Sequence, residues 1–300
     1  MSRIKSFVQY LKQSEVFRSD CFEPLQVGTA ITGKHYGFLS DDSGDEISSE
    51  NGSYGELTGS YWVWRNYLPQ HPEVEYIGFS HWRRFLDYTS KPRRYGCSFG
   101  TKMGFKKFAK RFDERYSEDR VYPLISSYDV ILPTKTYSVN SIREDYVKAG
   151  HPEEDLDRLT EIVRELHPEF VPDMQEFLNG QSAYFCLNYL MRSSLFDNFM
   201  TWLFPLLTKL QNQADWSGYQ TYETRRVAAY LAERFFNVWL NHEKRLRGIK
   251  VLERDGILLV PDGEAHWYDR ILYSVSLVQM ALRSVKDGTL RIRIRNRLGR

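Results

Sequence analysis

Two spacings of apolar residues run along this chain and divide it into elements. Residues 4–11 read as a short strand, and residues 76–80, 128–132, 182–191 and 257–260 are compact apolar runs beside turn formers, the pattern of strands or strand-turns buried on both faces. The other spacing is helical. Across residues 56–68, Leu57, Tyr61, Trp64 and Leu68 fall on one face before Pro69 ends the pattern, and across 152–166 Leu156, Leu159, Ile162, Val163 and Leu166 oppose a carboxylate-rich face. Residues 194–210, 222–240 and 267–282 predict further helices. Residues 41–45 make a polar, turn-rich loop, and residues 93–120, basic, aromatic and punctuated by glycine, predict a mobile excursion with some helix near 106–116. Strands separated by helices predict an α/β sheet, and ligands of such sheets bind beyond the carboxyl ends of the strands. Residues 76–80 empty at such an end into His81, Trp82, Arg83 and Arg84.

Composition narrows the class. With 42% hydrophobic residues the chain can bury a sizeable interior, and the balance of 41 basic against 39 acidic residues argues against nucleic acid as the principal partner. Cys21, Cys97 and Cys186 are an odd count without paired spacing, which predicts reduced thiols. Residues 1–12 lack the apolar core of a signal peptide, and no stretch approaches the roughly 20 apolar residues of a membrane-spanning helix, so the expected location is the cytoplasm.

Four clusters have residue types that carry chemistry. His81, Arg83 and Arg84 beyond a buried strand suit a diphosphate, because guanidinium groups bond phosphate oxygens bidentately, although an arginine pair in surface salt bridges has the same sequence. Asp41, Asp42 and Asp45 offer hard oxygens for a divalent cation or for sugar hydroxyls, or else a turn and a helix cap. Glu56 opens its helix, where a carboxylate is stabilised in any case. Glu233 beside Arg234 is either an ion pair within a helix or a general base. There is no phosphate-cradling P-loop, no His-Glu-x-x-His helix and no Asp-x-Asp triplet of the usual glycosyltransferase form.

At these residues the sequence resembles a bacterial family long catalogued as a domain of unknown function, whose members are described as capsular or exopolysaccharide glycosyltransferases and include galactofuranosyltransferases. Residues 25–30, Leu-Gln-Val-Gly-Thr-Ala, resemble its Gln-Val-Gly-Ala element. Residues 41–48 with Asn51, Tyr54 and residues 56–66 resemble its Asp-Asp-Thr-Gly-Asp-Asn-Ile-Ser and Glu-Leu-Thr-x-x-Tyr-Trp-x-Trp-Lys-Asn signature. Residues 76–85, Tyr-Ile-Gly-Phe-Ser-His-Trp-Arg-Arg-Phe, are similar to its Tyr-Ile-Gly-x-x-His-Tyr-Arg-Arg-Tyr, and Phe196, residues 202–206, Arg226 and residues 233–240 follow later elements. Trp82 replaces tyrosine, Ala232 replaces serine, Leu11 stands where the family has histidine, and residues 186–191 follow the pattern only loosely.

The resemblance implies a GT-A-like, Rossmann-like domain with helical C-terminal additions, expected over residues 1–262 and followed by an amphipathic helix and basic tail over 263–300. It implies transfer of a hexose, galactofuranose among the candidates, from a nucleotide-sugar donor, UDP-linked, to a glycan or lipid-linked glycan acceptor in capsule, exopolysaccharide or O-antigen synthesis. Gln26, Gly28, Glu56, His81, Arg83, Arg84 and Arg234 are then expected at the donor, and Asp41, Asp42 or Glu233 as the base that deprotonates the acceptor. Fixed cations would take the place of the Asp-x-Asp metal. Metal independence is the expectation, with a divalent cation, Mg or Mn, left open at Asp41 and Asp42. Competing readings are a retaining transferase and an inactive scaffold of a polysaccharide assembly complex. The basic tail, with seven arginines or lysines against Asp287 over residues 283–300, fits peripheral binding at the inner face of the cell membrane, a solvated tail or a partner contact.

Overall fold

The computed structural model describes residues 2–89, 99–110 and 112–265. Within them the strands are β1 (Ile4–Tyr10), β2 (Phe22–Gln26), β3 (Leu39–Ser40), β4 (Tyr76–His81), β5 (Arg84–Leu86), β6 (Thr101–Gly104), β7 (Val130–Pro133), β8 (Thr136–Tyr137), β9 (Ser182–Ala183), β10 (Tyr189–Arg192), β11 (Val251–Arg254) and β12 (Gly256–Val260). The main sheet runs β11-β7-β10-β4-β1-β2-β3, with β5, β6 and β12 attached off its path, while β8 and β9 form a separate ribbon. All neighbours along that path are parallel except β10, which lies antiparallel between β4 and β7.

Both faces of the sheet are covered, which is why its strands read as unbroken apolar runs. On β1, Phe7 packs into one core while Ile4, Val8 and Tyr10 pack into the other. On β4, Ile77 and Phe79 oppose Tyr76 in the same way. The larger core lies under the helices Glu153–Leu166, Ser193–Gln213 and Val227–Arg247, with Trp239, Phe196 and Phe199 fully buried. Each large side chain so buried contributes about 1.5–3 kcal/mol relative to exposure.

Two expectations are corrected. Of the expected excursion, residues 93–98 and 111 lie outside the described residues, and residues 99–110 and 112–125 carry the helix expected near 106–116 but pack into the fold. They form β6 and the helices Phe105–Ala109, Phe112–Arg115 and Glu118–Ile125, and their Phe108, Phe112 and Tyr116 pack edge and face against Phe17, Phe22 and Phe85 in the second core. The aromatic content that suggested a loop is the element's buried face. Helix 222–240 is also not continuous. A short helix, Tyr222–Arg225, opened by the Thr221–Thr224 capping pair, breaks at Arg226 (φ −91°, ψ 36°) before Val227–Arg247 begins.

Cys21 and Cys186 are free thiols. Among the described residues no helix is long and apolar enough to cross a membrane. Cys97, the expected helix over 267–282 and the basic tail lie outside the described residues.

Candidate active site

The site starts from the end of β4. Register places His81 opposite Gln9 of parallel β1 and opposite Arg84 of antiparallel β5, so Trp82 and Arg83 form a tight turn at the sheet's carboxyl edge. Three hydrogen bonds fix that turn: Trp82 N–H to the Gln9 carbonyl (3.0 Å), Leu259 N–H to the Arg83 carbonyl (2.8 Å) and Asn188 Nδ2 to the Arg84 carbonyl (2.7 Å). The Arg83 and Arg84 side chains are held more loosely. Their guanidinium groups lie 5.3 Å from the Trp82 ring centre and 5.9 Å from that of Phe99, and among the described residues neither makes an ion pair.

Glu56 comes from the start of the helix Leu57–Trp62, where Gln9 Nε2 donates to its carbonyl (2.6 Å). Its carboxylate lies between two basic side chains, with Oε1 3.2 Å from His81 Nδ1 and Oε2 2.6 Å from Arg226 Nη2. Gly55 permits this approach. Its φ of 53° with ψ −133° suits glycine, and a Cβ there would overlap the Arg226 guanidinium. Burial raises the Glu56 carboxyl, but the charge and hydrogen bond of His81 and the charge of Arg226 outweigh it and hold the group well below the usual carboxylate range.

A turn over residues 184–188 closes the other side. Asn237 clasps its start, accepting from Tyr184 N–H (2.8 Å) and donating to the Tyr184 carbonyl (2.9 Å). Cys186 (φ 73°) and Leu187 (φ 40°) are both left-handed, a strained arrangement for side chains of their kind. The turn presents the Cys186 carbonyl to His81 Nε2 (2.6 Å) and donates the Cys186 N–H to Glu233 Oε1 (3.0 Å). Because Glu56 and the Cys186 carbonyl both accept, the two contacts of His81 are made together only when both ring nitrogens carry hydrogen. Burial raises Glu233 above the ordinary carboxylate range, with Arg234 (3.2 Å) opposing the shift and Glu56 adding to it.

These groups line a cavity of about 440 Å³. Its charged lining is Glu56, His81, Arg83, Arg84, Arg226 and Glu233, and its aromatic lining is Tyr54, Tyr222 and Tyr230. Two carboxylates whose environments drive their acidities apart, beside Arg83 and Arg84, which make no ion pair among the described residues, form an acid–base and anion-binding arrangement.

The remaining sequence candidates lie elsewhere. Asp41 is fully buried and accepts from Gly28 N–H (2.8 Å), Thr29 N–H (3.2 Å), Ser48 Oγ (2.6 Å) and Thr58 Oγ1 (2.6 Å). Gly28 (φ 66°) belongs to that knot, where a Cβ would stand 2.7 Å from Asn51 Cγ. Asp42 accepts from Ser40 Oγ (2.7 Å) and lies 3.4 Å from His35. A cation at Asp41 and Asp42 does not fit, since four donors already saturate the first carboxylate, and among the described residues no three metal-binding side chains converge. Gln26 is buried, bonding the Lys34 carbonyl and Tyr36 N–H, and Arg234 faces the Tyr146, Phe185 and Tyr230 rings behind Glu233.

Sequence reading missed Tyr222, Tyr230 and the Cys186–Leu187 turn, and met Arg226 only through the family pattern. One signal was available: Tyr222, Arg226, Tyr230 and Glu233 recur at helical spacing, which marks a polar stripe on one face.

No curated protein matches the chain. Among solved structures, the chain is similar to the apo form of the WbbM bifunctional glycosyltransferase, with 26% identity and a TM-score of 0.73 over 85% of this chain. The match covers 45% of that protein, so the chain spans less than half its length. The fold is accordingly α/β and GT-A-like, with β10 as the antiparallel strand of an otherwise parallel path. A family model described as a domain of unknown function (DUF4422) matches residues 5–244, and the chain belongs to that family.

Proposed function

We propose that this protein is a glycosyltransferase that moves a sugar from a nucleoside diphosphate donor to a hydroxyl of a glycan acceptor. One observation carries the reading: Glu233, raised above the carboxylate range, shares a cavity with Arg83 and Arg84, which have no ion partners among the described residues. The similarity to a glycosyltransferase supports the reaction class. In the step proposed, the acceptor oxygen bonds to the anomeric carbon as its proton passes to Glu233. The bond from that carbon to the diphosphate breaks, and the leaving nucleoside diphosphate takes the electron pair. A base works best when its acidity lies near the working pH, which a raised carboxylate approaches. Fixed guanidinium groups stabilise the charge that develops on the leaving diphosphate. His81, with both ring nitrogens occupied by protein acceptors, supports the site from behind instead of binding phosphate.

The resemblance extends the proposal to an inverting transfer of a hexose from a UDP-linked donor, galactofuranose among the candidates, in bacterial surface polysaccharide synthesis. The catalytic unit is proposed to be residues 1–262. Purified protein incubated with UDP-galactose and UDP-galactofuranose is expected to release UDP from at least one. Arg83→Ala and Arg84→Ala should each lower that turnover by about 10²-fold or more while unfolding at the wild-type temperature. Two arginine variants with wild-type turnover would refute the assignment, and a protein that shows no thermal shift with UDP would favour a scaffold.

A further inference from the structure

The two carboxylates of the cavity are joined through a single residue. His81 Nδ1 meets Glu56 and His81 Nε2 meets the Cys186 carbonyl, while the N–H of the same Cys186 meets Glu233. The chain of contacts runs from Arg226 through Glu56, His81 and the Cys186 backbone to Glu233 and Arg234, with charges alternating along it. For both Cys186 groups to point into this chain the backbone turns left-handed at two consecutive residues, a strained arrangement for side chains of their kind. The turn is held against that strain at both ends, by Asn237 on Tyr184 and by Asn188 on the Arg84 carbonyl.

We propose that His81 and the Cys186 backbone are positioning groups that couple Glu56 to Glu233, so that the Glu56–His81 pair holds and tunes the base. The proposal rests on the reading of Glu233 as the proton acceptor. The side chain of Cys186 has no part in it. Its thiol is pushed up to about 12, chiefly by desolvation, and only its main chain makes the contacts. The ionisable groups that face Glu233 are Glu56 from the start of its helix, His81 from β4, Arg84 from β5, the Cys186 thiol from the turn, and Arg226, Tyr230 and Arg234 from its own helical segment. Of these, Glu56 raises Glu233 and His81 lowers it, and both reach Glu233 through the same peptide. Removing one or the other should therefore move Glu233 in opposite directions, which loosening of the site alone would not do.

The test follows the carboxyl carbon of Glu233 by NMR through a pH titration of protein labelled at glutamate, the resonance being assigned by its loss in Glu233→Gln. His81→Gln removes the group that lowers Glu233 and is expected to raise its midpoint, while Glu56→Gln removes the carboxylate that raises it and is expected to lower the midpoint, each by about half a pH unit or more. Cys186→Gly keeps the backbone groups and relieves the left-handed strain, so its midpoint should match the wild type. His81→Asn serves if His81→Gln does not fold. Midpoints that stay fixed, or move the same way in both variants, overturn the coupling. The underlying reading fails separately: a Glu233→Gln protein that releases UDP from a sugar donor at the wild-type rate is not using Glu233 as the base, whatever the titrations read.

Discussion

The same signature string supplies two carboxylates with opposite surroundings. Asp41 lies fully buried in a knot of neutral donors, two backbone amides and two hydroxyls. Glu56, at the other end of that string, meets charged side chains and a 440 Å³ space. A carboxylate enclosed by fixed neutral dipoles has nothing left to offer a ligand, and its work is to tie the β2 end, the 41–48 loop and the Leu57–Trp62 helix together. A carboxylate balanced by cations at the wall of an open space keeps the field of those cations available to whatever enters. What separates scaffold from chemistry here is the kind of partner.

That contrast breaks most visibly at Asp41. Asp41→Ala strands at least the Gly28 and Thr29 amides in a buried place, and each unsatisfied donor costs about 1–3 kcal/mol. The expected loss is about 3 kcal/mol or more, read as a fall in melting temperature of roughly 10 °C. A variant that melts like the wild type would show that the knot does not hold the loop. Gly55→Ala should follow with about 2 kcal/mol, because it forces a side chain into a conformation glycine prefers and displaces Arg226 from Glu56. Its melting curve and its turnover should fall together.

The two cavity carboxylates differ from each other as well, and pH separates them. Glu56 is depressed in the folded protein, so the stability it contributes is present above the ordinary carboxylate range and lost as pH falls toward its folded value. Glu233 is raised, so the folded state binds its proton more tightly, and stability falls as pH climbs from the ordinary value through the folded one. At neutral pH, Glu56→Gln is therefore expected to destabilise, leaving Arg226 and His81 without their anion, whereas Glu233→Gln should be neutral or stabilising. Melting temperatures across the acid-to-neutral range decide this, and a Glu233→Gln protein weaker than Glu56→Gln at neutral pH would reverse the assignment of roles.

Much of the scaffold was legible from spacing alone, because strands buried on both faces and helices with one apolar face leave strong periodic marks. The signals that failed were local. Residues 99–125 look basic, aromatic and punctuated by glycine in order, yet Phe108, Phe112 and Tyr116 meet Phe17, from the β1–β2 connection, or Phe85 of β5, contacts that no window of sequence contains. The helix Ile142–Lys148 had a readable mark, the Ser141–Glu144 capping box, that went unused. At the site, the strand-end position marked His81, Arg83 and Arg84, and the family pattern added Glu56 and Glu233. For Asp41 the choice between ligand and local cap stayed open in the sequence, because composition records the carboxylate and not its four donors. The Cys186 turn was invisible because its contribution is main chain in a left-handed conformation, which cysteine and leucine do not advertise.

The smallest expected effect is at Asp42, and it tests whether the acidic loop has any chemistry left. Asp42 is the partly exposed neighbour of the saturated Asp41, holding Ser40 Oγ at 2.7 Å and lying 3.4 Å from a largely exposed His35. Exposed pairs of this kind are worth about 0–1 kcal/mol, and surface substitutions away from special backbone or buried networks stay within about 0.5 kcal/mol. Asp42→Ala should therefore melt within about 2 °C of the wild type and release UDP from a sugar donor at an unchanged rate, with or without added magnesium or manganese. A metal-dependent rate that Asp42→Ala abolishes would place a cation at the loop despite the saturation of Asp41, and would require the loop to rearrange when donor binds. A rate that ignores both the substitution and the metal leaves the cations of the cavity, Arg83 and Arg84 foremost, to meet the diphosphate alone.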